Sequence, residues 1–135
     1  HTIPATPPPV TEKSTYQQLR AATNKNEVLT RADGTREIIL SDDLGEAQNP
    51  HHAMEIGATV QQKFSIHPDN PLSAIAETKW EYTYRRDHWN TRIVSQNKMT
   101  CDAYSFILFR EVIAYEGEDE ILKKTWHEII ARDCC

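Results

Sequence analysis

The sequence predicts an all-β fold: an antiparallel meander of long, curved strands forming a β-sandwich or a jelly-roll-like partial barrel. Three observations predict it. Apolar and polar residues alternate with a period of two through most of residues 58–133. The links between these segments shrink to dipeptides, Asp87-His88, Cys101-Asp102 and Gly117-Glu118, which makes neighbouring strands antiparallel. The segments are also about twice the usual strand length, and strands that long twist and coil.

The elements follow in order. Residues 1–13 form a proline-rich linker, with four prolines in "HTIPATPPPV", and 14–135 form a single β-rich domain. "STYQQLRAAT" (14–23) has too little periodicity to choose between a short helix capped by Ser14 and a strand. Glu27–Ala32 and Arg36–Ser41 read as two strands joined at Asp33-Gly34, a strong hairpin signal. "DLGEAQNPHHAMEIG" is turn-rich and holds at most one short strand. Ala58–Ile66 carries Val60, Phe64 and Ile66 at even spacing and reads as a strand. Pro68 and Pro71 in "HPDNPLSA" fix φ and remove donors, so this stretch reads as an architectural corner between the first hairpins and the main sheet.

Four long strands follow. Ala76–Arg86 puts Trp80, Tyr82 and Tyr84 on one face, and Trp89–Thr100 does the same with Trp89, Ile93 and Met99. Ala103–Glu116 is apolar on both faces and is expected at the centre of the sheet. Asp119–Asp133 also fits helical spacing, but its place in a run of hairpins favours a strand.

Composition excludes several classes. An apolar content of 39% with 26% charged residues describes an ordinary globular domain. A net charge of −5, with both signs interspersed, argues against a nucleic-acid binder. No run approaches the ~20 apolar residues of a membrane helix, and the N-terminus lacks the apolar core of a signal peptide. The three cysteines, Cys101, Cys134 and Cys135, are an odd set with an adjacent terminal pair. They make no disulfide framework and point to a reducing, cytoplasmic setting.

Chemistry is sparse. The four glycines, Gly34, Gly45, Gly57 and Gly117, belong to no nucleophile elbow, phosphate loop or dinucleotide fingerprint. His51 and His52 are adjacent, so on an extended chain they point to opposite sides and ligate one ion poorly. Cys101 could pair with His88 or His127 as a nucleophile and base, and His127 could work with Glu128, but turn cysteines usually do nothing. The expectation is therefore no catalytic, metal or cofactor-binding residue and no cofactor. The aromatic residues Trp80, Tyr82, Tyr84, Trp89 and Trp126 are the candidate set for an interface or a ligand-facing surface, against the simpler reading of cross-strand core.

An ordered set of short motifs carries a resemblance. Ile66–Ala74, "I-H-P-D-N-P-L-S-A", is similar to "I-x-x-D-D-P-L-S-A" with Asn70 at the second Asp, and a strand with Glu77 and Trp80 follows. Then come Arg86-Asp87-His88-Trp89 ("R-D-H-W", similar to "R-G-D-W" with Asp87-His88 in place of Gly-Asp), Met99–Asp102, Tyr115-Glu116-Gly117-Glu118, and Trp126 before Arg132-Asp133. Over roughly residues 27–133 the chain resembles the C-terminal segment of bacterial hydrolases of the cocaine esterase-like, X-Pro dipeptidyl-peptidase (CocE/NonD) family. The resemblance implies a β-rich, jelly-roll-like region beside an α/β-hydrolase domain that supplies a Ser-Asp-His triad. No triad residue carries over to this chain. The implied partner is the catalytic domain of the same polypeptide, with a homodimer as a further expectation. The implied role is a non-catalytic accessory domain that packs on the catalytic domain or shapes access to it. The alternative is a stand-alone β-sheet protein binding a small apolar ligand.

Overall fold

The computed structural model describes residues 16–133, so the proline-rich lead-in, Ser14 and the Cys134-Cys135 pair lie outside the described residues. Eight strands account for most of the rest: β1 (Gln17–Arg20), β2 (Thr23–Thr30), β3 (Arg36–Gln48), β4 (Glu55–His67), β5 (Asn70–Arg86), β6 (Trp89–Cys101), β7 (Ser105–Glu116) and β8 (Asp119–Ala131). They form one antiparallel sheet in the order β1-β3-β4-β5-β6-β7-β8, with β2 paired to β3 beside β1. The sheet is an open meander, with β8 at one edge and β1 and β2 sharing the other.

Turn chemistry sets the register. Between β2 and β3, the Gly34 N–H donates to the Arg31 carbonyl (2.9 Å) and the Arg31 N–H to the Thr35 carbonyl (2.8 Å). Gly34 alone in this turn takes a positive φ, 92°. The hairpin is thus a longer loop closed by one left-handed glycine, where "Asp33-Gly34" had suggested a tight two-residue turn. Asp33 instead accepts the Thr35 N–H (2.9 Å). The β5–β6 and β7–β8 hairpins are two-residue turns. Each places its first residue at positive φ, Asp87 at 53° and Gly117 at 59°.

β3 and β4 are longer than the sequence suggested. β3 continues through Gly45 to Gln48, and only residues 49–54 turn. A bulge between Asp43 and Glu46 makes this possible. Gly45 sits in it at φ 79°, packed on the backbone that links β1 to β2. The strand can therefore pair with both short strands along one edge. The ambiguous segment 14–23 contributes β1, a strand at residues 17–20.

"HPDNPLSA" is a bulged hairpin inside the continuous sheet, not a seam between two parts. The β4–β5 register runs regularly up to Ser65↔Ile75, then jumps to His67↔Asn70, so Pro71, Leu72 and Ser73 bulge out. Proline's missing donor costs nothing there. The Ser73 hydroxyl holds the bulge: it accepts the His67 N–H (2.7 Å) and donates to the Asn70 carbonyl (2.6 Å). The His67 ring reaches the Asp33 carbonyl (2.8 Å) and ties this hairpin to the first one.

β7 is the penultimate strand, not the central one, because only β8 lies beyond it. Its apolar residues on the second face pack locally: Ile113 stands opposite Val94, and the two are 9% and 6% exposed. With Val60 at 8%, these are the only apolar residues among the described ones that fall below a tenth exposed. No second layer among the described residues covers either face of this sheet.

Candidate functional site

The register divides the side chains into two unlike faces. Following the cross-strand pairs on one face gives the row Val28, Ile38, Phe64, Ala76, Met99 and Leu108 from β2 to β7. A second row on this face is Ala58, Tyr82, Ile93, Ala114 and Leu122. A row containing Gln62, Thr78, Asn97 and Arg110 separates them as a polar stripe. The opposite face is charged. There Lys63, Glu77 and Lys98 stand side by side on β4, β5 and β6, and the Lys98 ammonium lies 3.5 Å from the Glu77 carboxylate.

All five aromatic residues singled out in the sequence lie on the apolar face. Trp80 stands opposite Val60 and Ser95, Tyr82 opposite Ile93, Tyr84 opposite Thr91, Trp89 opposite Arg86, and Trp126 opposite Arg110. The rings of Trp80 and Tyr82 stack, with centroids 5.5 Å apart and planes 4° from parallel. Trp89 and Trp126 are each 42% exposed. Phe64, Met99 and Ile130 on the same face are similarly exposed.

None of the five lines the main apolar cavity found among the described residues. That cavity is an apolar trough of about 560 Å³ at the other end of this face. Val28, Ile38, Phe64, Ile66, Met99 and Phe106 line it, drawn from β2, β3, β4, β6 and β7. The sequence reading stressed aromatic residues and so passed over a site made mostly of aliphatic ones. The even spacing of Phe64 and Ile66 was the available signal. Cys101 also lines the trough, with its Sγ 4.0 Å from the Leu72 carbonyl.

The charged face is a lattice of cross-strand ion pairs. Glu37 is the one charged residue under a tenth exposed among the described residues, at 6%. It accepts from Arg31 Nε (2.8 Å) and Nη2 (2.5 Å), and Lys63 Nζ lies 3.2 Å away. The Arg31 hydrogen bonds, and then the Lys63 contact, hold the Glu37 carboxyl below the usual carboxylate range against the opposing effect of burial. Arg20 pairs with Asp43 and Arg85 pairs with Glu46, which fastens β1, β3 and β5 at one end. Lys123 pairs with Glu111 (3.1 Å), and that hydrogen bond raises the Lys123 ammonium above its ordinary value. The Arg92 guanidinium lies 4.3 Å from the centre of the Tyr115 ring. These pairs are mostly solvated, so they make the face soluble more than they stabilise it.

The candidate nucleophile pairs do not converge. Adjacent positions on β8 place His127 and Glu128 on opposite faces. Glu128 is instead held by Arg110, at 2.6 Å. Cys101 is on the apolar face with Phe106 as its partner, whereas His127 is across the sheet beside Phe109. His88 lies in the turn before β6 and Cys101 ends that strand, roughly 40 Å away at ~3.3 Å per residue. His51 and His52 sit in the exposed 49–54 turn, and no group of three metal-ligating side chains occurs among the described residues. No described helix is long and apolar enough to cross a membrane.

Comparison with family models, with curated proteins and with solved structures returns no match for the chain.

Proposed function

We propose that this chain is a non-catalytic accessory domain that packs its apolar face on the catalytic domain of a serine hydrolase. One observation carries the reading: a largely apolar face, from Val28 on β2 to Trp126 on β8 and crossed by one polar stripe, that no other described part of the chain covers. Exposed apolar patches of this extent mark interaction surfaces. The resemblance carried by the ordered motifs from Ile66 to Asp133 supports an α/β-hydrolase domain of the esterase or X-Pro dipeptidyl-peptidase type as that partner. On this reading the domain stabilises its partner or shapes access to the active site, and works in the cytoplasm. It contributes no triad residue of its own.

The test is to read the gene upstream of the codon for Thr2 and to assay the isolated chain. The reading expects an open frame encoding a G-x-S-x-G elbow, and no ester or peptide turnover by the chain. A frame without a hydrolase, or labelling of the chain by a serine-reactive probe, would sink it. The trough favours a second reading, a binder of small apolar molecules. Native mass spectrometry of the chain with a fatty acid separates the two. A stoichiometric complex abolished by Met99→Glu would favour the binder.

A further inference from the structure

We infer that β8 is a dimerisation strand that pairs antiparallel with β8 of a second copy of this chain, about a two-fold axis at Trp126. No other strand among the described residues pairs with the β8 edge, and all residues of β8 are exposed. Open edges are usually shortened, bulged or broken by proline. From Leu122 to Ala131, β8 has no bulge or proline, since its one irregularity lies beside Leu122 and leaves the rest in regular register with β7; the lysines that commonly guard an open edge are present as Lys123, which is held by Glu111, and Lys124.

The sequence of this stretch is self-complementary. Two copies paired symmetrically and antiparallel must place some residue opposite itself, with positions equally far on either side opposite each other. With Trp126 opposite Trp126, Lys124 meets Glu128 and Leu122 meets Ile130, and each pair occurs twice. All of these side chains project on the apolar face, because their β7 partners Arg110, Val112, Leu108, Ala114 and Phe106 do. On the other face Lys123 meets Ile129 and Thr125 meets His127, with no like charges opposed. The neighbouring symmetric registers are poorer. Centring on Thr125 sets Leu122 against Glu128, centring on Lys124 opposes two lysines, and centring on His127 sets Trp126 against Glu128.

The charges are also poised for it. Lys124 has no ion pair among the described residues, while Glu128 keeps one carboxylate oxygen on Arg110. An incoming Lys124 would complete an Arg110–Glu128–Lys124 cluster across the axis. Opposite charges on facing strands stabilise a pair and like charges oppose it. This contact uses an edge, so it leaves the apolar face free and stands or falls separately from the hydrolase reading.

The experiment is analytical ultracentrifugation of the intact chain over a range of concentration, with circular dichroism to check the fold of each variant. The result expected is a species of twice 15.5 kDa. Lys124→Glu alone and Glu128→Lys alone should each weaken association by about tenfold or more, since each creates two like-charge contacts. The double exchange should restore it. With Cys101, Cys134 and Cys135 replaced by serine, Trp126→Cys should form an inter-chain disulfide, and Thr125→Cys should not. A chain that stays monomeric overturns the proposal. So does a dimer indifferent to the charge exchange and uncrosslinked at position 126, which would pair through another surface. Protection of the β8 amides only in the full-length gene product would assign the edge to another strand of that product, and would also overturn it.

Discussion

Replacing Gly45 with alanine should destabilise the fold through two separable effects. Gly45 has φ 79°, where an L-residue costs about 1–2 kcal/mol more than glycine. A Cβ there would also sit 2.5 Å from the Arg20 carbonyl oxygen, 3.0 Å from the Ala22 nitrogen and 3.1 Å from the Ala21 carbonyl carbon. All three are backbone atoms, so no side chain can rotate away. The link between β1 and β2 must shift instead, at an overpacking cost of about 1–3 kcal/mol. Together the effects amount to roughly 2–5 kcal/mol. At about 3–5 °C per kcal/mol for a domain this size, Tm should fall by roughly 6–25 °C. Gly117 provides the control. It has φ 59°, and a Cβ there meets nothing within 4 Å. Gly117→Ala therefore carries only the conformational cost, and its Tm should fall by roughly 3–10 °C. Thermal unfolding followed by circular dichroism measures both. If Gly45→Ala were no worse than Gly117→Ala, the close packing of the β1–β2 link on the β3 bulge would be refuted.

Three further outcomes follow from the same geometry. Ser73→Ala removes both hydrogen bonds that hold the "HPDNPLSA" bulge and should cost about 1–3 kcal/mol in urea denaturation. An unchanged midpoint would mean that the prolines hold the bulge unaided. Asp87→Gly relieves a positive φ of 53° at a residue with no side-chain hydrogen bond given among the described residues, and should raise stability by about 1 kcal/mol. A loss of stability would show that the Asp87 side chain supports the turn. The Glu37 carboxyl is held below its ordinary range by Arg31 and Lys63. Its contribution is therefore fully present above the usual carboxylate pKa of ~4.3, and is lost as pH falls through the lower folded value. Glu37→Gln should lower stability at pH 7 and flatten the acid side of the pH–stability curve; an equally steep acid limb in the variant would move that dependence to other carboxylates.

The fold was legible wherever strands are long and their turns short. The alternation from Ala76 to Ile130 set the face of the aromatic residues on the strands, and the two-residue turns at Asp87-His88 and Gly117-Glu118 leave the register there no freedom; between β6 and β7 residues 102–104 form the link, where the sequence suggests Cys101-Asp102. The reading went astray where the backbone does something local. The Gly45 bulge lets β3 run on through a segment rich in turn residues, and no period-two count detects a bulge. Apolar residues on both faces of β7 suggest a central strand, yet β7 is penultimate. In the structure Val94 and Ile113 cover one another on the charged face. The trough escaped notice for a different reason. Val28, Ile38, Phe64 and Met99 are far apart in sequence, and four registers must be known together before they form one row. The absence of a converged nucleophile pair could be seen only in part beforehand, since the alternation separates His127 from Glu128 but says nothing of the distance from His88 to Cys101.

The central claim is that the apolar face is covered in the working protein. Hydroxyl-radical footprinting of the isolated chain and of the full-length product of its gene tests that claim most directly. Phe64, Met99 and Trp126 report on the apolar face, and Phe109 and Tyr115 on the charged one. The account predicts that labelling of the first three falls several-fold in the full-length product while the last two change little. Equal labelling of Phe64, Met99 and Trp126 in both would contradict it.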